Sequence, residues 1–366
     1  MSFFNPLYDR IQQLIGVKQN FEEDFSFLRP SGNDHLVQFC FRMISSEYLE
    51  LSQYDQQHFF LLDLLEETGI EYQLDVNGEF AIFTEKNKKG VKTIQSVMDL
   101  RNESIAVIYY FGVAKPCLQL NSQLMQSLRL TACYLNPSTL KTVSRSLSGI
   151  RSFQYYFEQS SLIFKEPVVM KGSLKGDIVP DAYQIYCQQF SNWFNIIQLS
   201  GHTTDGSQGV MTIDANGKLQ IDICRLSSFL KIIEKVFSLL NDKYHFILDK
   251  YVNSWQGDPH KNSIMVCSCP IQVELPYAIE FLENLSKTLT VGKKPLNLMG
   301  LYERISPKLW KIFITELNTA NQIDLEISTQ QILIFIHCKW SLPMLDKIES
   351  FLRNNIAANF ESLALN

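Results

Sequence analysis

The residues best equipped for chemistry fall in one loop. Ser200–Gly209 reads SGHTTDGSQG and sets Gly201, Gly206 and Gly209 among His202, Thr203, Thr204 and Asp205. An imidazole takes up and releases protons near neutrality, a neighbouring carboxylate fixes its orientation, and glycines let backbone N–H groups approach an anion. His202 as base and Asp205 as its orienter therefore form the candidate catalytic pair of a hydrolase or transferase. No Lys follows the glycines, which separates the loop from a Walker-type phosphate loop. The competing expectation is an exposed connector whose glycines ease a turn.

Other chemical groups are sparser. Cys267-Ser-Cys269, with His260 nearby, offers soft ligands. The C-x-C spacing does not match a zinc pair, which needs two ligands reaching one tetrahedral ion from a turn. In a strand, period two places both thiols on one face beside Met265, and core packing is expected. His337-Cys338, and Cys117 near Lys115, are candidate thiol sites, but adjacent strand residues point to opposite faces, so His337 does not activate Cys338 directly. Asp258-Pro-His260 reads as a turn, and His35, His58 and His245 stand alone. The chain lacks a G-x-S-x-G elbow, an H-E-x-x-H helix, a G-x-G-x-x-G turn and a kinase signature set. No metal site and no cofactor is expected.

The scaffold that must position these groups is large. The 366 residues are 46% hydrophobic and 19% charged, enough to fill more than one core. A net charge of −5 gives no general attraction for nucleic acid or an anionic membrane. Lys86-Asn-Lys-Lys89 and Lys293-Lys294 lie at turns without interleaved aromatics, unlike a nucleic-acid-binding sheet. Eight cysteines without a recognisable signal peptide point to a reducing compartment, with the cytoplasm as the expected location; export by a route without a cleaved signal would leave the same pattern. The longest nearly uncharged run, Ser104–Ala114, is eleven residues long and rich in β-branched and aromatic side chains, so it reads as a buried strand.

Three segments share a pattern of amphipathic helix, two-stranded ribbon and second helix. In the first, a helix from Asp55 to Gly69 precedes a hairpin around Asn77-Gly78, and a helix over 90–100 carries Val91, Ile94, Val97 and Met98. In the second, Met211, Ile213 and Ala215 alternate with polar residues up to Asn216-Gly217, and Leu219, Ile221 and Ile223 continue beyond it. A helix with Phe229, Leu230, Ile233, Phe237 and Leu240 follows. In the third, Ser306-Pro307 starts a helix bearing Trp310, Phe313, Ile314 and Leu317. Strands Ile323–Ile327 and Gln331–Ile336 then flank Ser328-Thr329, and Ser341 caps a last helix with Leu345, Ile348, Leu352 and Ile356. A strand at Ile264–Val273 and a helix at Pro276–Leu289 lie between the second and third units.

These readings predict an α+β fold of two or three lobes, built from recurring helix–β-hairpin–helix units with mainly antiparallel sheets. The expected domains are 1–165 and 182–366, joined by a linker over 166–181, with a weaker boundary near 256–262. The function expected is non-catalytic binding of another protein, as an adaptor or chaperone-like module, through apolar faces and open hairpin edges. An enzyme built on His202 and Asp205 is the alternative. No nucleic acid and no membrane span is expected.

Overall fold

The computed structural model describes residues 27–28, 35–41, 65, 70–74, 79–86, 92–102, 104–111, 114–127, 130–159, 163–190, 195–204, 209–221, 224–252, 269–275, 278–292, 296–317, 321–356, 358 and 360. In chain order the first elements are β1 (Phe27–Leu28), β2 (His35–Phe41), β3 (Glu71–Leu74), β4 (Phe80–Lys86), β5 (Lys92–Asp99), β6 (Ile105–Phe111), α1 (Ala114–Ser127), β7 (Thr131–Ala132), α2 (Pro137–Ser144), β8 (Leu147–Gln159) and β9 (Val168–Lys175). Then come α3 (Val179–Ile185), a π-helical turn at Tyr186–Phe190, β10 (Asn195–Thr203), β11 (Val210–Asp214), β12 (Lys218–Ile221), β13 (Cys224–Arg225) and α4 (Leu226–Tyr251). The last are β14 (Ile271–Glu274), α5 (Leu282–Thr290), β15 (Leu298–Ser306), β16 (Leu309–Glu316), β17 (Gln322–Ser328), β18 (Gln331–Ile336) and α6 (Leu342–Ile356).

An eleven-stranded sheet runs β3-β4-β5-β6-β2-β12-β11-β10-β8-β9, with β7 also on β2; a five-stranded sheet runs β14-β18-β17-β16-β15. Every strand pair whose register is described is antiparallel. This architecture overturns the expected recurrence of helix–β-hairpin–helix units. Two of the predicted helices are strands. The segment 90–100 forms β5, with Ser96, Val97 and Met98 all fully buried. A strand covered on both faces shows no clean period of two, and its apolar residues then fit a helical stripe equally well. The predicted helix after Ser306-Pro307 is β16, and Pro307-Lys308 is the tight turn joining it to β15. Ile312, left out of the helical stripe, completes the true alternation of Trp310, Ile312 and Ile314, all buried.

The chain divides into two compact units. The first comprises Met1–Leu135, Thr142–Ser152 and Gln198–Phe237; the second comprises Asn136–Lys141, Phe153–Ile197 and Ser238–Asn366. The stretch 166–181, expected as a linker, holds β9 and the start of α3. The helix predicted from Asp55 lies outside the described residues except for Leu65, which is buried; the turn Asn77-Gly78 also lies outside them. Among the described residues no helix is long and apolar enough to cross a membrane.

In the first unit, α1 covers one face of the strands. Leu36 and Cys40 on β2, Met98 on β5, and Ala106, Ile108 and Tyr110 on β6 form one cluster with Cys117, Leu120 and Leu124 of α1. The hairpin β11–β12 closes as its alternation requires, with Met211, Ile213, Leu219 and Ile221 fully buried. Gly217 sits at φ 68. A Cβ there would stand 2.6 Å from the Cys133 carbonyl oxygen and 3.0 Å from that of Phe39, because the turn presses against β2. Gln38 Nε2 donates to the Asn216 carbonyl at 2.8 Å and locks the contact. Gly217→Ala combines a left-handed backbone cost with a backbone clash, so urea denaturation should show a loss of about 2 kcal/mol or more. Gly149→Ala, where the added methyl meets nothing within 4 Å, should change stability by less than about 0.5 kcal/mol.

Candidate functional site

His202 is the penultimate residue of β10, half-buried, and stands opposite Val210 of β11. The Thr203 N–H donates to the Gly209 carbonyl at 3.2 Å, so the segment is the end of a hairpin. Asp205 lies outside the described residues, and the pairing with His202 is not among the described contacts. Gly201 has a packing role. Its missing Cβ leaves room for the Gly149 carbonyl and the Leu147 side chain of β8. Beside it, Ser152 Oγ and Ser200 Oγ lie 2.6 Å apart, and Ser148 Oγ donates to the Thr203 carbonyl.

The other candidates also separate. Cys269 is exposed and precedes β14, which corrects its assignment to a buried strand face; Cys267, Met265 and His260 lie outside the described residues. Cys117 is buried in α1 whereas Lys115 is exposed. His337 Nε2 is 3.0 Å from Asp324 Oδ2, while Cys338 Sγ faces Ser341 Oγ at 3.5 Å, so the two neighbours have different partners. Among the described residues no group of three His, Cys, Asp or Glu could hold a metal ion.

The densest electrostatic cluster is one that the sequence reading missed. Lys243 of α4 is fully buried, and its Nζ donates to Asp346 Oδ1 at 2.9 Å and Glu349 Oε2 at 3.0 Å on α6. Tyr244 OH donates to Asp346 Oδ2 at 2.6 Å, and Arg353 Nε donates to Glu349 Oε1 at 3.0 Å. Among the described residues two cations face two anions, and the cluster joins two helices. Burial alone would raise the Glu349 carboxyl, but the charges of Lys243 and Arg353 hold it below its ordinary 4.5. Burial would lower the Lys243 ammonium, and the two carboxylates outweigh it, holding that group above its usual range. Such groups act as a joint. A lysine kept charged in this way is a poor nucleophile or base.

An open strand edge is what remains exposed and chemically distinctive. The five-stranded sheet buries one face: Ile312, Ile314, Ile323, Leu325, Ile327, Ile332, Ile334 and Ile336 are at most 1% exposed. Its other face carries a row in register, Leu301, Phe313, Asp324 and Phe335. Leu301 is 77% exposed, Met299 55% and Phe313 46%, and Leu317, Ile305 and Val291 are also exposed. β15 is the last strand of this sheet. Val291 bridges Met299 and Gly292 N–H donates to the Leu298 carbonyl, so the start of the outer edge is covered. From Gly300 to Ser306 no strand flanks that edge among the described residues. Gly300 brings the strand close to the Phe313 carbonyl, a position where any Cβ would collide with the backbone.

The edge strand β9 is also exposed, with Val168, Val169 and Met170, but it carries Lys171 and Lys175, charges of the kind that discourage strand addition. The first five residues of β15, Leu298–Tyr302, are uncharged. Fold and site together define an antiparallel-sheet protein with an apolar edge strand. Residues 79–339, well over half of the chain, match the MJECL33-like protein family, and the chain belongs to that family. None of the curated proteins compared with it matches.

The sign of the pH dependence follows from the ion cluster. Glu349 has a depressed folded-state value, so its stabilisation is present above the unfolded carboxylate range and fades as pH falls below 4.5. Lys243 has a raised value, so its contribution is present below the unfolded lysine range, about 10.4, and fades above it. Removing the central cation reverses the acid limb. Lys243→Met should cost about 3–5 kcal/mol at pH 7, and part of the loss should return between pH 7 and 4.5 as the uncompensated carboxyls take up a proton. Unfolding free energies measured by denaturant across this range test both slopes.

Proposed function

We propose that this chain is a non-catalytic binding protein that accepts an extended segment of a partner protein along β15. The observation that carries the reading is an edge strand whose Met299, Leu301 and Ile305 side chains are exposed and whose outer backbone from Gly300 onward has no strand beside it among the described residues. Unpaired strand N–H and C=O groups next to apolar side chains are the two halves of strand addition: the backbone supplies affinity, and alternate side chains supply specificity. Phe313, directly opposite Leu301, widens the apolar strip onto β16 and gives a docked side chain a second wall. The occupant that fits is an extended peptide alternating apolar and polar residues, with its apolar side chains on the same face as Leu301. The small net negative charge makes no demand on its charge.

Fluorescence anisotropy with labelled nine-residue peptides of alternating Leu or Val with Thr, Ser or Lys tests this, together with hydrogen exchange. Binding in the micromolar range, roughly −8 kcal/mol, is expected, with slowed amide exchange over Gly300–Ser306. Leu301→Glu should weaken it about tenfold or more while leaving the melting temperature within about 2 °C, because Leu301 is exposed. N-methylation of alternate peptide amides should abolish it. Peptide binding that spares β15 amides, or that is indifferent to Leu301→Glu, overturns the reading.

A further inference from the structure

Three buried polar atoms belong to the layer between α1 and one face of the large sheet. Ser96 of β5 and Tyr110 of β6 are opposite one another in register, so their side chains stand side by side on that face. Asn121 lies one turn beyond Cys117 on α1, and Cys117 packs in the same cluster as Tyr110, Leu36, Phe83, Leu120 and Leu124. Ser96 and Tyr110 are 0% exposed and Asn121 is 6% exposed. Ser96 Oγ, Tyr110 OH and Asn121 Oδ1 are all sealed from solvent and find no hydrogen-bond partner among the described residues.

One orphan of this kind is unusual in a native core, and three in one layer call for a shared partner. Two are hydroxyls that donate or accept; the third is an amide oxygen that only accepts. The surroundings choose the charge of that partner. The apolar cluster around Tyr110 includes Cys40 and Cys117. Burial, followed by the nearby thiols, pushes the Tyr110 phenol well above its usual range, so an anion here meets the same penalty. Among the described residues no carboxylate acts on that phenol, so a cation gains no partner there.

We propose that Ser96, Tyr110 and Asn121 form an internal binding site for one small neutral guest that donates a hydrogen bond to Asn121 Oδ1 and bonds both hydroxyls. Water is the smallest member of that class, and a short-chain alcohol or polyol is the larger alternative. A buried water characteristically makes about three hydrogen bonds, the number of open groups here.

A crystal structure near 1.5 Å resolution tests the site directly. The expected result is a density peak within about 2.6–3.2 Å of all three atoms. Native mass spectrometry separates the sources: an organic guest adds its mass to the intact protein, whereas a single water leaves no retained adduct. Tyr110→Phe, which keeps the ring and removes only the hydroxyl, gives an independent readout. With a guest bound, it should raise the unfolding equilibrium constant about fivefold or more. With the hydroxyl truly orphaned, the substitution stabilises the fold. Either an empty site in the density or a rise in melting temperature for Tyr110→Phe overturns the proposal.

Discussion

The file of isoleucines and leucines on one side of the five-stranded sheet dictates what the opposite side must present. Strand side chains alternate, so once Ile312 and Ile314 point inward, Phe313 must point outward, and the same holds for Met299 and Leu301 on either side of Gly300. A slip of one residue would expose the whole buried row, so the register is strongly fixed. The exposure of Phe313 and Leu301 is therefore a consequence of alternation acting on a sequence with apolar residues at both parities. Most of the outer face accommodates this with polar neighbours, such as Lys311 paired with Glu326 at 2.9 Å and Asp324 with His337. Leu301 has no such polar neighbour on β16, where Phe313 stands opposite it, and this gives the edge its apolar character.

Two clusters treat buried polarity in opposite ways. In the second unit, Lys243, Asp346, Glu349 and Arg353 satisfy one another, and Lys347 pairs with buried Glu316. Paired charges of this sort add little net stability over an apolar core, but they penalise any other helix register, because a displaced partner leaves a bare charge. In the first unit, the polar atoms between α1 and the sheet are left open among apolar neighbours. A closed network fixes a joint, whereas open valences in a dry layer make a place for a guest.

Much of the hairpin content was legible. Asn216-Gly217 and Ser328-Thr329 mark turns because the flanking residues alternate cleanly, and the structure has β11–β12 and β17–β18 there. β5 and β16 were misread for definite reasons: β5 is buried on both sides, and Ser306-Pro307 imitates a helix start while Pro307-Lys308 forms a two-residue turn. The ion cluster had a readable signal. Lys243 falls on the same stripe of α4 as Leu240, Tyr244 and Ile247, and Asp346 and Glu349 fall among Leu345, Ile348 and Leu352 on α6. Charges on an apolar stripe announce a partner, although only the fold says which. The loop at 200–209 drew attention for its composition, whereas Gly201 serves strand packing, which composition does not encode.

The position of β12 bears on how this chain acquires its shape during synthesis. β2 emerges early, yet one of the strands that pair with it is β12, formed by Lys218–Ile221, and the Phe39 N–H waits for the carbonyl of Gly217. The nascent chain must therefore carry His35–Gln38 without their partner strand on one side through well over a hundred residues of translation. Separations this long slow folding and lengthen the interval in which a strand can pair wrongly. The sheet is completed at its middle and not at its margin, so the ribosome delivers the keystone after both flanks.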